Sequence, residues 1–345
     1  MSMKHLVLGL ALLARTLATS NPLNLKAIDE KVLDMGLTSF DDQYRGCRHM
    51  MEEELVELNH TEFTRNPIYA EGWKRAAAKW WNKGGDVPRS TALRTEHAVA
   101  LMAYTLHGSL YMKFDEDVHN AGLSRREYLE KFQFKTLHFL LTEALTILRK
   151  PQTCHKVFRG VKDIRFIAWP QDLVRFSQFV SFFFRKEKAK DFGEDTFFSV
   201  NTCYGVPIKK FSAYPEKEEV LIPPYERFVV TSITKHLNST YIQLESAGTC
   251  SNYNCEWVKG NIPLAGPSIP QDSSSIPWVG PSIPWDSLSP PLALQPVQVS
   301  LDGSAALWGV SRSSQFGVIS EFAEDTLCPL IQVTDEYVEQ HWTQY

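Results

Sequence analysis

The chain has 345 residues, 43% of them hydrophobic and 12% aromatic, enough apolar side chain for one large domain or two ordinary ones, which excludes wholesale disorder. A formal charge of −4 without a dominant Lys/Arg block argues against a protein that holds nucleic acid by neutralising phosphates. The six cysteines (Cys47, Cys154, Cys203, Cys250, Cys255, Cys328) form no C-x-x-C and no histidine pair lies at zinc spacing, so no metal site is encoded.

In chain order, the first element is a secretory leader over residues 1–20. Lys4 precedes the apolar run Leu6 to Ala14, and Ala18-Thr19-Ser20 offers a cleavage site before Asn21. The run is shorter than the roughly 20 apolar residues a bilayer span needs. The sequons at Asn59 and Asn238 agree with secretion, and an oxidising destination makes the cysteines disulfide candidates.

The spacing then predicts helices over Tyr69 to Trp81, Glu96 to Leu110 and Tyr128 to Leu148. The last closes on Arg149-Lys150-Pro151, cations followed by a helix breaker. After Pro151 come short β-branched and aromatic runs: Lys156 to Val161, Val174 to Phe184, Thr196 to Thr202, Glu219 to Ile222, Phe228 to Ile233 and Thr240 to Leu244. Helices first and strands afterwards predict an α+β protein, a helical N-terminal part followed by a mainly antiparallel β core.

Residues 21–260 form the expected domain. Residues 261–296 are a Pro/Ser-rich linker in which Gly-Pro-Ser-Ile-Pro occurs twice, and 297–345 are a tail without a recognisable motif. The polar C-terminus carries no lipid-anchor pattern, so a secreted, extracellular monomer without a membrane anchor is expected.

Three patterns in the strand-rich half could carry chemistry. Arg159 interrupts an apolar strand, where a guanidinium is costly unless an anion meets it, and its planar fork suits phosphate oxygens. Alternation places Ser181 between Phe179 and Phe183, a hydroxyl among aromatics that can order a ring or a sugar. Glu219 opens an apolar strand that ends at Pro223-Pro224, and a carboxylate there can bond a sugar hydroxyl and stabilise developing positive charge. Taken singly, each also has a plain structural reading: an internal ion pair, a hydroxyl bonded to the backbone, a solvated charge run.

Together, Arg159, Ser181 and Glu219, in that order on three strands, resemble the R-S-E triad of the vertebrate extracellular mono-ADP-ribosyltransferases. The segments Ser39 to Cys47, Phe132 to Phe139, Phe192 to Phe198, Thr202 to Gly205, Glu219 to Pro224 and Tyr253 to Cys255 resemble the same family, from about Leu33 to Gly260. The resemblance implies an ADP-ribosyltransferase fold, NAD as co-substrate, no metal, and transfer of ADP-ribose to arginine on an acceptor protein with release of nicotinamide. It implies that Arg159 pairs with the NAD phosphates, Ser181 orients the ribose on the nicotinamide side and Glu219 accepts from its 2′-hydroxyl. It also implies disulfides Cys47–Cys255 and Cys154–Cys203, leaving Cys250 and Cys328 open.

Two positions depart from the family's pattern. Lys217 stands two residues before Glu219, where members active on arginine carry Glu, and Phe183 replaces the second Ser of Ser-x-Ser and adds bulk near the nicotinamide pocket. Glu218 falls on the opposite face by alternation. An NAD glycohydrolase, or a catalytically silent binding protein with the same fold, are therefore the alternatives to the arginine transferase.

Overall fold

Glu62 decides how the helical half is cut. It lies in a helix the periodicity did not disclose, α1 (Arg48–Arg65), followed by α2 (Pro67–Asn82), α3 (Thr95–Thr105), α4 (Ser109–Ala121), α5 (Arg125–Glu130) and α6 (Lys135–Leu148). The buried Glu62 carboxylate accepts from the backbone N–H groups of Lys135 at 2.7 Å and Thr136 at 2.9 Å, capping α6. The single helix expected over Tyr128 to Leu148 is thus two, α5 and α6. The one expected over Glu96 to Leu110 likewise stops at Thr105, because His107 takes a left-handed φ of 48° ahead of Gly108 and α4 begins a new direction. α2 starts on Pro67, with the Asn66 side chain accepting from Tyr69 N–H at 3.0 Å.

The computed structural model describes residues 28–87, 92–236 and 239–259 together with Cys328. The expected leader, the sequon at Asn238, the 261–296 linker and the tail other than Cys328 lie outside the described residues. Asn59 lies within α1 and accepts from Tyr69 Oη at 2.8 Å.

Two strands, β1 (Asp29–Val32) and β3 (Ile164–Ile167), pair in parallel. The main sheet holds β2 (His155–Val161), β4 (Leu173–Arg175), β5 (Val180–Phe183), β6 (Thr196–Thr202), β7 (Val206–Pro207), β8 (Glu219–Ile222), β9 (Glu226–Lys235) and β10 (Thr240–Thr249), in the order β4-β9-β10-β6-β2-β5-β8-β7. Its neighbours are antiparallel except β6 and β10. One face buries Val157, Phe182, Phe198, Val220, Phe228 and Ile242, while Leu221 and Phe179 join the helical core around Phe114, Leu101 and Phe139.

The run Val174 to Phe184 is not one strand. β4 pairs with β9 at one edge, and β5 sits between β2 and β8. Arg175 pins the break: fully buried, it reaches Asp41 Oδ2 at 2.5 Å and the carbonyls of Met35 at 2.8 Å and Cys250 at 3.1 Å. Phe179 consequently lies ahead of β5, packs in the helical core and does not share an alternating face with Ser181.

Both implied disulfides are present, and Cys250 bonds Cys328 in a third. Cys154–Cys203 locks β2 to β6 beside the pair His155↔Thr202. Among the described residues, no helix is long and apolar enough to cross a membrane.

Candidate active site

β2 pairs with β6 from His155 to Val161, but with β5 only at Phe158↔Phe183. Where that ladder fails, Arg159 reaches across and its Nη1 donates to the Ser181 carbonyl at 2.7 Å. Register continues the line to Phe183↔Glu219 and Ser181↔Leu221, so Ser181, Phe183 and Glu219 project from one face of adjoining strands. Arg159, next to Phe158 in β2, starts from the other face. The structure thus brings the expected residues Arg159, Ser181, Phe183 and Glu219 to one place.

Glu219 is fully buried. Its Oε2 accepts from Ser212 Oγ at 2.5 Å, its Oε1 has no hydrogen-bond partner, and His107 Nε2 is the nearby cation-forming group at 3.6 Å. The Ser181 Oγ is buried and likewise unpartnered. Two orphaned polar atoms on neighbouring strands are expensive unless a ligand satisfies them, and both suit the hydroxyls of a sugar.

Arg159 is half-buried and lines a cavity of about 470 Å³ with Asp115, His119, Phe176 and Gln178. Gln178 Nε2 donates to Asp115 Oδ2 at 3.2 Å. Burial pushes the Asp115 carboxyl up to about 7, opposed by a hydrogen bond from Tyr111 and by the Arg159 charge. Ser181 and Glu219 do not line this cavity; Arg159 links it to them through its hydrogen bond to the Ser181 carbonyl.

Phe183 is buried and stacks on Phe192 with centroids 4.9 Å apart. Gly160 makes this approach feasible: a Cβ there would stand 2.1 Å from the Gly193 carbonyl and 2.5 Å from that of Ala189, so only glycine lets the segment ending at Phe192 close against β2.

Lys217 ends a 3-10 turn, Pro215–Lys217, and its Nζ sits over the rings of Tyr214 at 4.4 Å and Phe192 at 5.3 Å. Glu218 follows in a left-handed conformation, φ 53°, before β8 begins, so strand alternation does not govern it. Its carboxylate is engaged by Lys209 at 2.6 Å and Arg185 at 3.5 Å.

Four contributors were not read from the sequence: His107, Asp115, Ser212 and Tyr214. Ser212 is seven positions from Glu219 and outside any alternating run. His107-Gly108 carried only a turn signal, which the apparent continuity of the helix concealed. Among the described residues, no group of three or more His, Cys, Asp or Glu side chains is placed to hold a metal ion.

The family model for NAD:arginine ADP-ribosyltransferases matches residues 33–252, and the chain belongs to that family. It is 50% identical over 259 residues to the erythroblast NAD(P)(+)–arginine ADP-ribosyltransferase of Gallus gallus, covering 74% of this chain and 86% of that protein. It is 43% identical over 283 residues to the GPI-linked NAD(P)(+)–arginine ADP-ribosyltransferase 1 of Homo sapiens, covering 77% and 86%. Among solved structures it resembles the eucaryotic mono-ADP-ribosyltransferase ART2.2, with 37% identity and a TM-score of 0.58 over 66% of this chain and 99% of that one. A substituted form of ART2.2 in complex with NAD gives 35% identity and a TM-score of 0.57 over the same shares, 66% and 99%.

Proposed function

We propose that this protein is an NAD-dependent mono-ADP-ribosyltransferase that moves ADP-ribose from NAD to arginine side chains of an acceptor protein. The observation that carries the reading is the pair of buried, unpartnered atoms Ser181 Oγ and Glu219 Oε1, with Arg159 bonded to the Ser181 carbonyl. NAD supplies an activated glycosidic bond whose nitrogen leaves as nicotinamide with the bonding electrons. Arg159, lining the cavity, offers its fork to the phosphates. Ser181 holds the sugar, and Glu219 accepts from its 2′-hydroxyl, a bond that strengthens as positive charge grows at the anomeric carbon. Ser212 keeps the carboxylate turned so that Oε1 is the free oxygen. A guanidinium nitrogen then bonds that carbon and gives up a proton.

The proton is where a second reading gains ground. Lys217 cannot accept it, and its ammonium is turned onto Tyr214 and Phe192. With water as acceptor the same site is an NAD glycohydrolase. Labelled NAD with agmatine separates the two, with Glu219→Gln as control. Nicotinamide release with the ADP-ribosyl-agmatine adduct, both lost in the control, supports the transferase. Release without adduct supports hydrolysis, and neither product means a binding protein.

We assign this activity to a domain over residues 21–260. The site of action is outside the cell, in keeping with three disulfides and with relatives whose names include "GPI-linked" and "Ecto-". Secretion in free form is the finer reading. It is tested by expressing the full chain in animal cells and assaying medium against phospholipase-released surface protein.

A further inference from the structure

Although the chain is net negative, the ground around Glu219 is set with lysines. Lys79 and Lys217 lie over the one ring of Tyr214, at 4.9 Å and 4.4 Å. Lys83 donates to the carbonyls of Lys210 at 3.1 Å and Ser212 at 3.0 Å, the latter being the residue that holds Glu219. Lys186 stands over Phe197, which packs with Phe183. Among the described residues, no carboxylate lies within ion-pair distance of Lys79, Lys83, Lys186, Lys210 or Lys217. The carboxylates nearest in sequence are largely engaged, Glu218 by Lys209 and Arg185, and Asp191 by Lys188 at 3.6 Å. Asp86, Glu187 and Glu216 remain. Burial first, then the charge of Lys79, holds the Lys83 ammonium below its usual range, against the opposing pull of Glu216.

Resting on the transferase reading, a cationic rim poses a problem. The acceptor guanidinium is itself a cation and must pass these ammonium groups to reach the anomeric carbon. We infer that the acceptor is an arginine carried on an acidic stretch of polypeptide, whose Asp and Glu side chains pair with Lys186, Lys210 and Lys79 while the guanidinium advances toward Glu219. Acidic neighbours turn the rim from a barrier into a docking surface, and they set specificity by repelling arginines in basic surroundings. Lys217 takes part in the same selection. Its ammonium repels an isolated guanidinium but attracts a carboxylate beside one.

The test uses the full chain with three peptides carrying one arginine, flanked by glutamates, by serines or by lysines, and with agmatine as the small acceptor. The glutamate-flanked peptide should exceed the serine-flanked one in kcat/KM by about tenfold at low salt, the lysine-flanked one should be poorest, and the order should compress near 0.5 M salt. Lys186→Glu/Lys210→Glu should reverse the preference among the peptides and raise transfer to agmatine, itself a cation, while leaving the KM for NAD unchanged. Equal kcat/KM across the peptides with agmatine still modified overturns the acidic-acceptor inference and leaves the transferase reading standing. So does a charge reversal that moves the KM for NAD instead, since the rim would then serve the dinucleotide. If agmatine is not modified either, the transferase reading fails, and anisotropy binding of the three labelled peptides still decides whether the rim prefers the acidic one.

Discussion

His107 Nε2 stands 3.6 Å from Glu219 Oε1, on the opposite side of the carboxylate from Ser212, and the imidazole lies parallel to the Tyr214 ring at 6.0 Å. Glu219 is therefore held from one side by a neutral hydroxyl and faced on the other by a group that can carry a proton. His107→Asn keeps a residue that tolerates the left-handed backbone and removes the ring that faces Oε1. Nicotinamide release should fall by about tenfold at constant pH with the KM for NAD little changed, the loss expected when a polar group facing the reacting carboxylate is removed. An unchanged kcat would remove His107 from the chemistry.

Lys217→Glu puts a carboxylate two residues ahead of Glu219 and breaks the contacts to Tyr214 and Phe192. The lost cation–π contacts are worth about 1 kcal/mol together, so folding should survive. The rate of agmatine-adduct formation should rise by about tenfold or more, the scale expected of a positioned general base. An unchanged rate would mean that the acceptor's proton is taken elsewhere.

Asp115 makes stability fall as pH rises. The native state keeps the proton up to about pH 7, whereas the unfolded chain loses it near pH 4, so between these values the native state binds more protons. Asp115→Asn removes the dependence. Urea unfolding should show variant and parent nearly equal near pH 4, with the variant ahead on the order of 3 kcal/mol at pH 8. Asp42, raised to about 6 by burial, gives the same sign in both proteins and cancels in the difference. A parent at least as stable as the variant at pH 8 would contradict the assignment.

Arg175 and Asp41 are fully buried partners, so Arg175→Met leaves a carboxylate uncompensated and should cost about 3–5 kcal/mol. The double change Arg175→Met/Asp41→Asn should recover part of that loss, and thermal unfolding of the parent, both single variants and the double variant measures the coupling.

Arg159, Ser181 and Glu219 were legible as a set through their resemblance to the R-S-E triad. Singly, Arg159 and Ser181 stand out among apolar neighbours, whereas Glu219 closes the charged run Glu216-Lys217-Glu218 and has no such contrast. His107 and Ser212 were not legible, since each matters only through a tertiary contact to Glu219 and no local pattern announces it. Boundaries failed for a related reason. No Gly or Pro marks the turn between β4 and β5, and what ends the first strand is Arg175 reaching back to Asp41. The start of α6 is written in Glu62, in another helix altogether. The fold class came from the succession of periodicities, which needs no long-range information.

The bond between Cys250 and Cys328 fastens the chain back onto itself beside Asn252 and Tyr253, whose N–H groups hold Asp41. A protease that cuts once between residues 260 and 327 therefore opens the polypeptide without freeing its C-terminal piece. The nicked molecule would run as one species on a non-reducing gel and as two after reduction. Processing in the extracellular space can in this way change the covalent connectivity of the protein while its mass stays almost constant.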